Sequence, residues 1–169
     1  MKKLVSIILL YFIISSSFAG CGNQSVVQEE TSQTIAIGNP WTKCNSIGEA
    51  EAATGFSFGL PDVIADSYEA VSIRIMNNEL IEVIYRDDSF EVCVRKQKGA
   101  GQDISGDYNE YENCIEMNQN GAAVISCYNS NNTAVKQTIS YDGYSWSLVA
   151  PNGYWGDSNR DFLNGILNT

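Results

Sequence analysis

Residues 113–128 read Asn113-Cys114-Ile115-Glu116-Met117-Asn118-Gln119-Asn120-Gly121-Ala122-Ala123-Val124-Ile125-Ser126-Cys127-Tyr128, and this stretch decides the fold. Ile115 and Met117 before Asn120-Gly121, and Ala122 and Val124 after it, alternate with their neighbours at the period of a half-buried strand. Both central residues of a type I′ turn need positive φ, which Asn-Gly supplies, so the two runs fold back as an antiparallel hairpin. A two-residue turn makes Gln119 and Ala122 a hydrogen-bonded pair. Counting back, Cys114 then faces Cys127 in a non-hydrogen-bonded pair, where Cα atoms lie ~4.5 Å apart and a disulfide can close.

The same period runs outward on both sides of this hairpin. Val71, Ile73, Ile75; Ile81, Val83, Tyr85; Phe90, Val92, Val94; Val135, Ile139, Tyr141; and Tyr144, Trp146, Leu148 each mark one face of a strand, and Tyr111 extends the Ile115 run. Asp142-Gly143 is a second two-residue turn signal. Between Ile75 and Ile81, a three-residue turn through Asn77, Asn78 and Glu79 sets Ile73 opposite Val83 and Arg74 opposite Glu82. That register keeps one face apolar and pairs opposite charges on the other, so it is preferred over a two-residue turn. Ser46-Ile47-Gly48-Glu49 is a capping box that starts a helix with Ile47, Ala50 and Ala53 on one face, and Gly55 stops it. Asp157-Ser158 caps a last helix whose Phe162, Leu163, Ile166 and Leu167 form an apolar stripe. The expected fold is α+β: a curved antiparallel meander of about seven strands with one helix at each end of the domain, the last helix on the concave face.

Export is legible at the N-terminus. Lys2-Lys3, the apolar run Leu4 to Ile14 and the small residues before Cys21 make a bacterial export signal, too short for the ~20 residues of a membrane-spanning helix. Small residues followed by cysteine resemble the lipobox of bacterial lipoproteins, with Phe18 where leucine is usual. Residues 1–20 are then a signal peptide, and Cys21 carries acyl chains such as palmitate, two or more of which anchor a protein stably. Residues 21–38 form a polar tether in which Ile35 and Ile37 alternate as in a short edge strand. Residues 39–169 form a single domain of 131 residues, enough for one hydrophobic core.

Charge and composition narrow the chemistry. Removing Lys2 and Lys3 from ten basic residues leaves eight against twenty acidic ones, a net charge of −12, so a phosphate backbone is repelled and nucleic acid is not an expected partner. The chain has no histidine, which removes Ser-His, Cys-His and His-ligated metal sites. No cofactor is called for. Four cysteines remain in the exported domain, with three possible connectivities; the hairpin assigns Cys114 to Cys127 and leaves Cys44 to pair with Cys93. Cys93 lies on the opposite face from Val92 and Val94, so Cys44 must reach across that outer face. Cys93 with Cys114 is the alternative if their strands are neighbours. The spacings contain no paired C-x-x-C knuckle for zinc.

Asn39-Pro40-Trp41, Glu49 to Phe56, Pro61, Ile81 to Asp87, Arg95-Lys96, Asp103 to Asn109 and Gly143 to Ser147 together resemble one family of small extracytoplasmic bacterial domains of unknown function. The resemblance implies a domain found alone on lipoproteins and at the outer ends of single-pass membrane proteins, some similar to anti-sigma regulators. It implies no catalytic activity and no functional residue, and the cysteines lie outside its pattern.

Three candidate sites follow from the residues. Side-chain oxygens at Asp103, Ser105, Asp107 and Asn109 recur every second residue, a loose calcium pattern that lacks EF-hand spacing; the competing reading is a structural loop with turn-capping aspartates. Asp107 and Glu110 are a candidate acid–base pair, while Lys43, Lys96, Lys98 and Lys136 have no motif context for a Ser-Lys dyad. Among the aromatics Trp41, Tyr141, Tyr144, Trp146, Tyr154 and Trp155, alternation sends Tyr144 and Trp146 to the core. Tyr154 and Trp155 sit in a glycine-flanked loop and are the candidate binding patch. The leading expectation is a lipid-anchored cell-surface binding or sensing domain without catalytic activity, facing outside the cytoplasm, whose partner is a surface protein or ligand that the sequence does not name. The alternatives are a carboxylate-dependent hydrolase of cell-wall or dietary polymer and a carrier of an apolar ligand.

Overall fold

The computed structural model describes residues 39–150 and 158–168. The signal segment, Cys21, the tether and the loop bearing Tyr154 and Trp155 lie outside the described residues.

Among the described residues nine strands and two helices follow the order β1 (Trp41–Cys44), α1 (Ile47–Thr54), β2 (Val63–Ile64), β3 (Tyr68–Met76), β4 (Leu80–Arg86), β5 (Glu91–Lys98), β6 (Asn113–Gln119), β7 (Ala122–Tyr128), β8 (Ala134–Tyr141), β9 (Tyr144–Val149) and α2 (Ser158–Leu167). All seven expected strands form, every pairing is antiparallel, and the curved sheet stays open with a helix near each end. The fold is α+β, as the alternation and the caps require.

Local chemistry explains these elements. The Ser46 hydroxyl accepts from the Glu49 amide at 3.1 Å, the Glu49 carboxylate accepts from the Asn45 amide at 2.7 Å, and Gly55 ends α1 at φ 71°. Ile47 and Ala50 are buried as expected. Ala53 is exposed instead, and Thr54 takes its place because the buried stripe follows the i, i+3, i+7 spacing. Asn120 and Gly121 both adopt positive φ, 52° and 86°. The first hairpin turns through Asn77, Asn78 and Glu79, with Ile73 opposite Val83 and Arg74 opposite Glu82.

Strand order departs from a single meander at one place. The order β1-β3-β4-β5-β9-β8-β7-β6 consists of two meanders, β3-β4-β5 and β6-β7-β8-β9, joined where β5 pairs with β9. The chain leaves β5 in the middle of the sheet and re-enters it at the far edge, so residues 99–112 must cross a face of the sheet. Two bulges also redirect side chains. Val71, expected in the core, is the extra residue between Ala70 and Ser72 and is 47% exposed. Val135 falls at the irregularity opposite Cys127 and Tyr128 and is not part of the main core.

One face of the sheet carries the core. Cys44, Ile73, Val83, Val94 and Leu148 stand opposite one another across five strands. Trp146, Tyr85, Phe58 and Phe162 are the largest fully buried side chains, with Phe58 against Trp146 and Phe162 edge-on to both Tyr68 and Tyr85. Both helices lie on this face. Lys96 also points there: its ammonium donates to the Ser57 carbonyl and sits 4.4 Å from the ring centres of Tyr144 and Trp146, and burial lowers its pKa.

The cysteines divide by face. Cys114 and Cys127 form the disulfide that the hairpin register demands, with Cα atoms 4.1 Å apart. Cys44 and Cys93 remain thiols. Their expected pairing fails because Cys44 points into the core from β1, while Cys93 points to the other face from β5. Three strand spacings, about 14 Å, separate the two strands. The Cys93–Cys114 alternative fails because three strands stand between β5 and β6.

Candidate functional site

The second face of the sheet, away from both helices, is where the crossing segment lies, and it holds the densest polar chemistry of the described residues. Glu82 stands on this face with its side chain only 1% exposed. Its carboxylate is paired with Arg74 and accepts from Arg95 Nε at 2.8 Å. Both guanidinium groups lie against the Trp41 ring, at 4.1 and 5.5 Å from its centre. The Cys93 thiol is beside them; burial first, then the Glu82 carboxylate, push it up to about 12, so it stays a neutral, weakly nucleophilic thiol.

Arg95 also holds the crossing segment. Its Nη1 donates to the Ile104 carbonyl at 3.0 Å. Gly106, at φ 66°, passes so close that a Cβ there would fall 2.9 Å from Cζ and closer still to Nη1. A second tether is Lys136 on β8, which donates to Asp103 at 2.8 Å and to the Asp107 carbonyl at 3.3 Å. The backbone amides of Gly101 and Gln102 donate to the hydroxyls of Ser140 and Ser145.

Between these anchors the segment is a run of side-chain-capped turns. Asp103 Oδ1 accepts from the Ser105 amide, Ser105 Oγ from the Asp107 amide, and Asp107 Oδ1 from the Asn109 amide, at 2.9, 3.1 and 3.0 Å. Each bond spans two residues, the geometry of an Asx or Ser/Thr turn. This periodicity is the pattern read as a candidate calcium site. The oxygens of Asp103 and Asp107 are directed at protein donors, with Asp107 Oδ2 accepting from Tyr111, and they form a chain of turns rather than a converging cage. Burial alone would raise both carboxyls. The hydrogen bonds from Lys136 and Ser105 to Asp103, and from Tyr111 and Asn109 to Asp107, outweigh it and hold both below the ordinary carboxylate range.

Past Asp107 the segment becomes one wall of a groove of about 920 Å³. Cys93, Arg95, Val149 and Ala150 lie along its floor, Glu110, Tyr111 and Glu112 line the near wall, and Tyr128, Asn129 and Ser130 the far one. The wall enters β6 at Asn113, next to the Cys114–Cys127 disulfide. Val135 reaches this groove because of its bulge. β9 also ends here, at Val149.

Of the sequence candidates, Asp107 and Glu110 are brought to the same groove, but Asp107 is committed to turn and tyrosine hydrogen bonds. Lys96 and Lys136 are engaged by Ser57, Asp103 and Asp107. Trp146 is 1% exposed and structural. Tyr128, Asn113, Asn129 and Ser130 were not singled out by sequence: the Asn129 side chain caps the β7–β8 turn, which reads only as a turn. Trp41, Glu82, Arg95 and Gly106 pack together on this face, and Phe56, Lys96, Tyr144 and Trp146 on the other. Compared with known proteins, the chain matches no family profile, no curated protein and no solved structure.

Proposed function

We propose that this protein is a lipid-anchored, non-catalytic binding domain displayed outside the cytoplasm, with the second-face groove as its ligand site. The observation that carries the reading is the fixed wall. Arg95, Lys136, three successive capped turns and a disulfide hold residues 99–114 in one conformation, so a ligand entering beside Glu110, Glu112 and Tyr128 does not have to order the loop that contacts it. The resemblance to small extracytoplasmic bacterial domains, read from the sequence, is compatible with this reading. The resembling stretches brace the fold, and such a scaffold can carry different grooves. The disulfide supports an oxidising compartment, and Cys21 in its lipobox-like setting supplies the anchor.

A hydrolase is less well supported. A general acid needs a raised carboxyl pKa, whereas the shifts at Asp103 and Asp107 run downward. An apolar-ligand carrier needs space between sheet and terminal helix, which Phe162, Tyr68 and Tyr85 occupy. The test incubates the folded protein with insoluble cell-envelope polymer and with soluble oligosaccharides, measuring retention and new reducing ends. Retention weakened by Tyr128→Ala without reducing ends supports the reading. Reducing ends that disappear in a Glu110→Gln, Glu112→Gln double variant would replace it with the hydrolase. For the anchor, the wild type should partition into detergent and Cys21→Ser should not; an unacylated N-terminus at another residue by intact mass would remove that part of the reading.

A further inference from the structure

Among the described residues no strand pairs with the outer side of β6, and this edge differs from the other edge of the sheet. β1 is four residues long, follows Pro40 and carries Lys43, devices that discourage strand addition. β6 is seven residues long, pairs with β7 without a bulge and contains no proline, lysine or arginine. All but its last side chain are exposed, including Ile115 at 52% and Met117 at 40%. The Cys114–Cys127 pair has the short Cα separation of a non-hydrogen-bonded position, 4.1 Å. Residues 114, 116 and 118 therefore turn their backbone N–H and C=O groups away from β7, towards the open edge. The disulfide keeps this template from fraying.

Side chains specify what would dock there. Ile115 and Met117 project on the core side of the sheet, next to Val124, and form a short apolar row. Glu116 projects on the second face with no ion-pair partner among the described residues, and Glu110 and Glu112 lie on the segment leading into the strand. We propose that β6 receives an extended segment of a partner protein in which apolar and basic residues alternate, adding a strand to the sheet with its apolar side on Ile115 and Met117 and its cations on Glu116. A second copy of this chain fits poorly. Its own β6 holds no cation to meet Glu116, and two copies of an acidic chain repel. The edge adjoins the groove at Asn113, but the docking positions Ile115, Glu116 and Met117 do not line it, so Glu116 variants test the edge without altering the groove's lining.

The test uses two synthetic peptides, one alternating valine and lysine, the other valine and glutamate, titrated into the folded protein at moderate salt. The valine-lysine peptide should bind at least ~10-fold more tightly than its acidic counterpart. Glu116→Pro removes the central outward N–H at a position that does not bond β7, and should cut binding at least ~10-fold while leaving the melting temperature within a few degrees. Glu116→Lys, which keeps the backbone donor, should reverse the preference between peptides. Undiminished binding to Glu116→Pro would mean adhesion to an acidic surface and would overturn the proposal. So would absence of binding, or a concentration-dependent dimer that Glu116→Pro abolishes.

Discussion

Replacing Gly106 by alanine should uncouple the crossing segment from the sheet, and Gly101→Ala provides the control. Both glycines have positive φ, 66° and 81°, so each substitution carries the cost of a left-handed alanine, about 1 kcal/mol. Around Gly101 nothing lies within 4 Å of the added Cβ, and the cost stops there. At Gly106 the Cβ meets the Arg95 guanidinium, which can retreat only by giving up Ile104 O and Glu82. Hydrogen bonds to a charged group are worth about 1.5–3 kcal/mol, and Glu82 keeps Arg74, so the additional loss is about 2–3 kcal/mol. Gly106→Ala should therefore destabilise by about 3–4 kcal/mol against about 1 for Gly101→Ala. Urea unfolding followed by circular dichroism measures both; for a domain of this size the melting temperatures should fall by roughly 10–20 °C and 3–6 °C. Equal losses in the two variants would refute the idea that Arg95 latches the segment.

Further outcomes follow from burial and charge. Iodoacetamide at pH 8.5 should label neither Cys44 nor Cys93 in the folded protein within the time a free thiol reacts fully, because burial raises both thiols. In unreduced denaturant it should label both, and finding no label there would restore the Cys44–Cys93 bond. Asp103 and Asp107 are held below the ordinary carboxylate value, so their stabilisation is complete above about pH 4 and is lost as pH falls through their lower folded values. Asp103→Asn, which can still cap the Ser105 amide, should lower the melting temperature at pH 7 and flatten its decline below about pH 4; an unchanged acid limb would contradict the assignment. Trp146→Ala should cost roughly 3–5 kcal/mol in the same urea assay, and a loss under 1 kcal/mol would mean that the core face is wrongly placed.

What the sequence disclosed is what neighbouring residues decide. Asn120-Gly121 fixed a turn, the turn a register, and the register a disulfide; Arg74 opposite Glu82 emerged from keeping Ile73 and Val83 on one face. The capping box gave α1 its start. Strand order has no such local signature. That β5 lies beside β9 depends on where residues 99–112 dock, and the docking contacts, Arg95 to Ile104 and Lys136 to Asp103, join positions 9 and 33 residues apart that no spacing rule connects. The misplaced Cys44–Cys93 pair has the same origin, since faces were readable strand by strand but distances between strands were not. The groove was half legible. Oxygens at every second residue from Asp103 were visible, but calcium ligation and a chain of capped turns use the same residue types, and only the direction of each oxygen separates them. Tyr128 and Ser130 gave no signal, because Tyr128 ends β7 beside the irregularity at Val135 and Ser130 lies in the β7–β8 turn, and no local pattern marks either as a groove residue.

Hydrogen–deuterium exchange of the crossing segment tests most directly the claim that it is a rigid wall. The amides of Ser105, Asp107 and Asn109, each bonded to a side chain two residues before it, should exchange at least ~100-fold more slowly than in an unstructured peptide of the same sequence, and Gly106→Ala should abolish that protection while β3 and β4 keep theirs. Exchange in the wild type at the unstructured rate would contradict the account, because the groove would then have no preformed wall.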